Sequence, residues 1–305
     1  MGVMINGLYH AEDPGPDTTE GGEFRRKDAT IRDWITRDGP FTPDPGRYHL
    51  YAAWNCPWAH RALLARTILG LTDAITVAYA RPRRTDQGWV YDTDGRHADP
   101  VLGVAALHEV YAMQDPPYTG RLTVPVLWDR KTGRIVSNES ADIVRMLAAF
   151  GRGPDLCPDH LRDDIDRWND VIYRTVNNGV YRAGFARTQE AYESAVTEVF
   201  DTLDRIEDQL RRTDWLTGDT FTEADLRLFP TLARFDVAYH YAFKCNLWRL
   251  TDYPALWRYA RRMYAMPGVA GTVRFDIYKQ GYFSPSELRN PLGIVPVGPR
   301  IDWSL

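Results

Sequence analysis

The spacing of hydrophobic and polar residues changes repeatedly between residues 48 and 150, which predicts short strands alternating with helices. The predicted elements, in order, are a strand (48–53), a helix (57–69), a strand (75–80), two strands joined by a turn (123–128 and 134–136) and a helix (141–150). A strand–helix–strand unit with a parallel strand pair, followed by two strands and a helix, is the order of a thioredoxin-type domain.

Two stretches in the first half do not follow this pattern. Residues 1–45 are rich in Gly, Pro and Asp and are expected to form an extended arm, in which 29–37 could form a short helix. Residues 81–120 are a long polar and aromatic insertion, loop-like except for a helical patch near 101–111. We therefore expect an N-terminal arm (1–45) and a thioredoxin-like, thiol-binding domain (46–152).

Beyond a Gly- and Pro-rich break at 151–154, the pattern is almost entirely helical. Thr222 is placed as an N-cap, with Asp225 three residues later as its capping-box partner. We expect an all-α domain over 153–305 that ends in a Pro- and Gly-rich tail. Its predicted helices are 160–177, 188–212, 223–243 and 253–265. The fold class is thus α/β plus all-α.

Length and charge narrow the range of functions. The chain has 305 residues, 44% of them hydrophobic, which is enough for two buried cores. A formal net charge of −4 provides no basic surface, so we expect no nucleic-acid partner. No apolar run approaches the ~18 residues of a transmembrane helix, and the polar start lacks the layout of a signal peptide, so we expect no membrane association. Three scattered cysteines favour a reducing, cytoplasmic location.

One cysteine lies where a strand ends and a helix begins, in the stretch WNCPWAHR. Unpaired N–H groups and the helix dipole at this point favour a thiolate, so we expect Cys56 to have a pKa well below the ~8.5 of a free thiol. Pro57 suits the first helical turn, where no N–H is needed. Because Ala59 stands where a second cysteine would complete a redox pair, Cys56 must form a mixed disulfide with an external thiol. The alternative is a buried, inert cysteine, which is how we interpret Cys157 and Cys245.

Val124-Pro125 opens a strand of the same domain. An X-Pro bond in this position suggests a cis peptide that exposes the Val124 backbone to an incoming peptide. The alternative is a proline that only protects a sheet edge.

Glu139 and Ser140 open the following helix. Ser140 and neighbouring N–H groups could hold a carboxylate, and Glu139 could pair with an ammonium group. The alternative is ordinary helix capping by Ser137 or Asn138. A nucleophilic cysteine, an exposed strand and a clamp for an amino-acid head together describe a pocket for a glutathione-like thiol. No His, Cys and Asp cluster has metal-ligand spacing, so no metal is expected.

These features resemble the glutathione transferases, and more narrowly the Xi class, the glutathionyl-hydroquinone reductases. The resemblance extends from about residue 45 to the C-terminus, and its most specific strings lie in the helical half. The matching stretches are NCPWAHR (55–61), GWV (88–90), VPVLWD (124–129), NESADIVRM (138–146), NNGVYRAGFA (177–186), FKCN (243–246), DYPALW (252–257) and GIVPVGP (293–299).

The resemblance implies that Cys56 is the nucleophile and that Tyr181, Tyr239 and Tyr282 lie near its sulfur. Tyr181 is expected to protonate the product, and the other two to stabilise the thiolate. From the residues alone, these three among 17 tyrosines would be interpreted as aromatic core. The run AAWN (52–55) stands where the family usually has a small or hydroxyl-bearing run, and its Trp54 could narrow the acceptor pocket. The residues implied to line the glutathione site are Trp89, Arg121, Leu122, Thr123, Val124, Glu139 and Ser140.

The implied activity is the glutathione-dependent removal of the thiol adduct from S-glutathionyl-hydroquinones, by a protein that is expected to be a homodimer. The alternatives are an omega-like thiol transferase or dehydroascorbate reductase, and a non-catalytic ligand carrier or redox-sensing partner protein. Only four of the 37 basic residues are Lys, which suggests a GC-rich genome. Some bacteria with such genomes use mycothiol, so a mycothiol-dependent equivalent stays open beside glutathione.

Overall fold

The computed structural model describes residues 2–12 and 14–305. The chain divides into two compact units. The first contains the chain up to Gly15 and then Asp28–Pro154, and the second contains Pro16–Lys27 and Asp155–Leu305. The stretch predicted as one arm is therefore divided between the units.

In its described residues, the first unit carries two small sheets and three α-helices. Its elements are β1 (Val3–Ile5), β2 (Leu8–His10), β3 (Tyr48–Ala52), α1 (Pro57–Ile68), β4 (Ile75–Tyr79), α2 (Leu107–Ala112), β5 (Gly120–Arg121), β6 (Val126–Asp129), β7 (Arg134–Ser137) and α3 (Ser140–Leu147). The main sheet has the order β4-β3-β6-β7, in which only the β3–β4 pair is parallel. This arrangement confirms the predicted thioredoxin-type domain.

β3 is buried along its whole length because it lies between β4 and β6. Both long helices of the unit, α1 and α3, contact each other. Since β3 leads directly into α1, the first turn of α1 lies at the end of the central strand, which positions Cys56.

The predicted helix at 29–37 is wrong. This stretch is extended, and its backbone pairs with the end of β7: the Asp33 N–H donates to the Val136 carbonyl at 2.9 Å, and the Asn138 N–H donates to the Ile31 carbonyl at 3.0 Å. Arg32 is fixed beside it by the Asp142 carboxylate at 2.6 Å. Pairing with residues more than 100 positions away thus decides the local conformation. The first strands β1 and β2 were also not predicted, and they form a second sheet with β5.

The insertion is mostly irregular, as expected. Its helix α2 begins at Leu107, later than the predicted patch, and Gly95–His97 forms one 3₁₀ turn. Val104, Leu107 and Tyr111 are buried in the core of the unit. This part of the insertion therefore belongs to the core of the unit.

The second unit is helical. Its elements are α4 (Arg162–Ile172), α5 (Gly179–Phe185), α6 (Gln189–Leu210), α7 (Glu223–Leu232), α8 (His240–Ala242), α9 (Pro254–Ala265) and α10 (Phe275–Tyr282), with π-helical turns at Tyr173–Asn177 and Phe235–Tyr239. The predicted helix 223–243 is real but interrupted after Leu232.

The sequence pattern does not predict α5 or α10. The Asn177-Asn178-Gly179 run resembles a turn, yet Gly179 is the first residue of α5. A Cβ there would come 2.9 Å from Val199 Cγ2, so glycine allows α5 to pack closely against α6. α10 has only eight residues, too few for a recognisable helical period.

The predicted capping box at the start of α7 is confirmed. The Thr222 N–H donates to Asp225 Oδ2 at 2.9 Å. The buried Asp225 carboxylate also accepts from the Leu216 N–H and the Tyr259 hydroxyl, at 3.0 and 3.1 Å. One side chain thus connects the start of α7 to α9. Among the described residues, no helix combines the length and apolar character needed to cross a membrane.

Candidate active site

Cys56 is the N-cap residue of α1, as predicted. Its backbone is extended (φ −85°, ψ 118°), Pro57 occupies the first turn, and its Sγ accepts a hydrogen bond from the Ala59 N–H at 3.5 Å. The side chain is partly buried. An N–H group aimed at the sulfur stabilises a thiolate, which is the form that attacks another sulfur.

The Val124–Pro125 peptide is cis, as expected. Val124 lies just before β6. The Cys56 thiol donates a hydrogen bond to the Val124 carbonyl at 3.3 Å. The backbone before β6 therefore lies directly beside the sulfur. A peptide-like thiol that placed its sulfur on Cys56 would have this backbone within reach of its own N–H and carbonyl groups.

Glu139 is itself the cap of α3, so capping by Ser137 or Asn138 is wrong. Its Oε1 accepts from the Ala141 N–H at 2.9 Å and from the Ser140 hydroxyl at 3.4 Å. Ser137 Oγ instead accepts from the Glu139 N–H at 3.1 Å, and the Asn138 amide donates to the Tyr111 hydroxyl at 3.2 Å. The carboxylate is held by one backbone and one hydroxyl donor, which fixes it at the helix start.

Residues 121–124 alternate between two environments. The Leu122 side chain is completely buried, so only its backbone could take part in a thiol site. Arg121 and Thr123 are partly exposed, and the Arg121 guanidinium donates to the Gly15 carbonyl. The Thr123 carbonyl accepts from the Tyr111 hydroxyl at 3.0 Å.

Trp89 belongs to the same buried cluster as Leu122 and Val124, and Cys56 packs against that cluster. The indole is 7% exposed, and its N–H has no acceptor among the residues that the structure describes. The Arg84 guanidinium lies 5.1 Å from its ring. A buried donor without an acceptor costs free energy, and this nitrogen has almost no surface open to solvent.

Trp54 packs within the first unit, and the expectation that it narrows the acceptor pocket stays a prediction. Its ring stacks face to face on Tyr79 with centroids 3.7 Å apart, and the side chain is only 8% exposed. His97 of the insertion packs edge-on against the same indole at 5.8 Å. Trp54 therefore joins the insertion to the sheet. Asn55, which sequence reasoning did not single out, does the same through its amide, which donates to the Pro82 carbonyl at 3.0 Å.

The three tyrosines implied by the resemblance converge in the second unit. Tyr181 lies on α5, Tyr239 ends a π-helical turn and Tyr282 ends α10. The Tyr282 hydroxyl lies 2.7 Å from that of Tyr181 and 3.0 Å from that of Tyr239. We call this row of hydroxyls the tyrosine chain. Residues 101 positions apart in the sequence thus share one hydrogen-bonded row, which no local pattern could have predicted.

Burial raises the pKa of Tyr239 and of Tyr282 well above the usual value for tyrosine. Both hydroxyls therefore keep their protons at neutral pH and can act as donors. Arg234, which is fully buried, opposes this effect in both through its positive charge. Sequence reasoning missed Arg234; its only signal is an arginine inside an otherwise apolar helical stretch.

The other cysteines differ from each other. Cys245 is completely buried, and burial raises the pKa of its thiol, in keeping with the predicted inert role. Cys157 is partly exposed, so the prediction that it is buried is wrong. Within residues 2–12 and 14–305, no group of three or more His, Cys, Asp or Glu side chains is placed to hold a metal ion.

Comparison with known proteins shows which family the chain belongs to. Models of the glutathione S-transferase N-terminal and C-terminal domains match residues 55–149 and 189–262. The chain is 46% identical to glutathionyl-hydroquinone reductase PcpF of Sphingobium chlorophenolicum, over 98% of this chain and 96% of that protein.

Solved structures agree. Glutathione-S-transferase Xi from Phanerochaete chrysosporium matches with a TM-score of 0.91 at 44% identity, over 97% of this chain and 98% of that one. The glutathione-bound structure of YqjG, a glutathione transferase homolog from Escherichia coli K-12, matches with a TM-score of 0.89 at 42% identity, over 98% and 96%. The chain belongs to the Xi class of the glutathione transferases, the glutathionyl-hydroquinone reductase family.

Proposed function

We propose that this protein is a glutathionyl-hydroquinone reductase that uses glutathione to remove the thiol adduct from S-glutathionyl-hydroquinones. The single observation that carries the proposal is the position of Cys56, an N-cap cysteine with Ala59 in place of a second cysteine. Its thiolate can attack a sulfur but cannot close an intramolecular disulfide, so the reaction needs an external thiol. The similarity to PcpF supports the choice of substrate.

The reaction has two half-reactions. In the first, the Cys56 thiolate attacks the sulfur of the conjugate, the bond from that sulfur to the ring breaks, and the ring takes a proton from Tyr181. The products are a hydroquinone and a Cys56–glutathione mixed disulfide. In the second, a glutathione thiolate attacks the mixed disulfide, which forms glutathione disulfide and restores the Cys56 thiolate. The ring is reduced by two electrons, and two glutathionyl sulfurs are oxidised.

The remaining residues receive roles in binding. We assign the glutathione backbone to Val124, its γ-glutamyl head to Glu139 and Ser140, and a lining role beside the sulfur to Trp89. Tyr239 and Tyr282 are donors that stabilise negative charge and resupply a proton to Tyr181. The contacts of Arg121, Leu122 and Thr123 would come from the backbone of this stretch and from the two partly exposed side chains.

Glutathione is favoured over mycothiol by the residues at the start of α3. A carboxylate fixed beside a hydroxyl and helix N–H groups suits an α-amino acid head, which mycothiol, a sugar-based thiol, does not carry. We further propose that the protein is cytoplasmic, since a reducing environment keeps a thiol such as Cys56 reduced, and that it is a homodimer, as the family resemblance implies.

The test uses the purified protein and a synthetic S-glutathionyl-hydroquinone, with no free thiol added. We expect one equivalent of hydroquinone to be released, and one glutathione to be found on Cys56 by peptide mass spectrometry. A thiol transferase would accept glutathione from a disulfide but release no hydroquinone from the conjugate. A ligand carrier would bind the conjugate and return it unchanged. Either of these results would refute the proposal.

A further inference from the structure

Residues 16–27, which we call the strap, belong to the second unit. In the sequence, however, they come before every strand of the main sheet of the first unit. The strap is fixed at the start of α6. The Gly22 carbonyl accepts from the Arg187 N–H at 2.9 Å, and the Gly21 carbonyl accepts from the Thr188 hydroxyl at 3.0 Å. Gly22 has φ +81°, and a Cβ there would come 2.8 Å from Thr188 Cγ2, so this attachment requires glycine.

Beyond this attachment, the strap runs along α5, from its last residue towards its first turn. The Phe24 ring packs against Phe185 with centroids 5.3 Å apart. Two residues later, Arg26 Nε donates to Asn178 Oδ1 at 3.0 Å, and its guanidinium carbon lies 4.9 Å from the centre of the Tyr181 ring. The Asn178 carbonyl accepts from the Tyr181 N–H at 3.0 Å, so Arg26 is held by the same helical turn that carries the tyrosine.

We propose that Arg26 is a positioning residue for Tyr181, and that the strap is therefore part of the catalytic apparatus. The inference rests on the proposed function, in which Tyr181 protonates the departing ring. A guanidinium over an aromatic face attracts the neutral ring. It attracts a ring that has lost its proton more strongly, because the interaction then includes a full negative charge. Arg26 thus fixes the orientation of the phenol and stabilises the charge that remains after proton transfer.

Several other groups face the tyrosine chain. The buried Arg234 guanidinium interacts electrostatically with all three tyrosines. Arg289 lies over the rings of Phe185 and Phe243, which pack around Tyr181. Arg182, next to Tyr181 in the chain, is paired with Glu198 of α6 at 2.7 Å. Of these cations, Arg26 has its guanidinium over the Tyr181 ring, 4.9 Å from the ring centre.

The test separates the two half-reactions in the full-length protein. We expect Arg26→Met to slow the release of hydroquinone in a single turnover by about tenfold, the effect of losing one cation–π contact. Reduction of a preformed Cys56–glutathione disulfide by glutathione should be unchanged, because that step needs no proton from Tyr181. Arg26→Lys, which keeps the charge, should recover most of the rate. The matched control is Arg25→Met, an exposed arginine beside it in the strap.

Normal hydroquinone release by Arg26→Met would overturn the inference. Equal slowing of both half-reactions, or equal slowing by Arg25→Met, would also overturn it, because it would indicate general damage to the fold. The wild-type protein distinguishes failure of the proposed function: if it releases no hydroquinone from the conjugate, the activity itself is wrong.

Discussion

At the scale of single residues, Cys56 differs from the other two cysteines in its backbone position. Only Cys56 accepts an N–H from the first turn of a long helix, whereas Cys245 is sealed in the core. We expect Cys56→Ser to lower hydroquinone release by at least about a thousandfold, because a serine hydroxyl is a far weaker nucleophile than a thiolate at neutral pH. Cys157→Ser is the matched control, since Cys157 is also partly exposed, and it should keep wild-type turnover. Near-normal activity of Cys56→Ser would exclude the mixed-disulfide route.

We expect substitutions at Tyr181 and Tyr282, two members of the tyrosine chain, to have coupled effects on the reaction rate. Because the Tyr181 and Tyr282 hydroxyls are in direct contact at 2.7 Å, they should act as a unit. We expect Tyr181→Phe to slow hydroquinone release roughly a hundredfold, within the usual range for loss of a general acid, and Tyr282→Phe roughly tenfold. The double variant should be about as slow as Tyr181→Phe alone.

Single-turnover rates of the wild-type protein, the two single variants and the double variant measure this coupling. Tyr241→Phe provides the control, because Tyr241 is exposed and lies two residues after Tyr239. If the two single effects simply multiply in the double variant, the hydroxyls work independently.

At the scale of elements, the start of α3 combines a structural task with a proposed binding task. Glu139→Gln keeps an acceptor for the Ala141 N–H but removes the charge, whereas Glu139→Ala removes both. Both variants should raise the KM for glutathione several-fold, because the ammonium group loses its partner. Only the alanine variant should lose stability, by about 1 kcal/mol, the usual cost of a lost N-cap.

Steady-state kinetics and thermal unfolding of the two variants separate these tasks. Unchanged glutathione KM in Glu139→Gln would leave Glu139 with capping alone. A clear preference of the wild-type protein for mycothiol, with no penalty in either variant, would instead identify mycothiol as the thiol and leave the Cys56 chemistry intact.

Elements whose signals are local could be predicted from the sequence. Cys56-Pro57 marks the start of α1, and Thr222 with Asp225 marks the start of α7, because capping depends on residues within one turn. The stretch 29–37 could not be predicted, since distant backbone groups of 136–138 determine its conformation. The tyrosine chain joins α5 and α10 with a π-helical turn, and the two helices had no usable pattern; its residues could be found only through the family resemblance.

At the scale of the whole molecule, one buried histidine is expected to contribute to acid sensitivity. His49 on β3 is completely buried, and burial lowers its pKa to about 4. The Asp99 carboxylate, 3.7 Å from its Nε2, acts in the other direction and raises the pKa, but by less. Below pH ~6.5 the unfolded chain binds a proton at this residue that the folded chain does not. Stability is therefore lost as pH falls from about 6.5 to about 4, by up to about 3 kcal/mol.

Replacing the His49 imidazole by the amide of Asn should remove its contribution to the pH dependence of the free energy of unfolding. The free energy of unfolding of His49→Asn, measured by denaturant titration from pH 7 to pH 4, should vary less steeply than that of the wild-type protein, whatever its absolute value. His160→Asn, at an exposed position, should leave the slope unchanged. An equally steep slope in His49→Asn would show that other groups cause the acid sensitivity.

Because of the strap, neither unit is formed by one continuous stretch of the polypeptide. The chain enters the second unit at Pro16, returns to the first at Asp28, and leaves it again after Pro154. A protease that cuts in the 151–154 linker would therefore not release two complete units, because the C-terminal helical fragment would lack residues 16–27. Arg26 and its partner Asn178 are 152 residues apart in the sequence. Changes in residues 16–27 thus reach the helical half directly, although these residues lie far from it in the sequence.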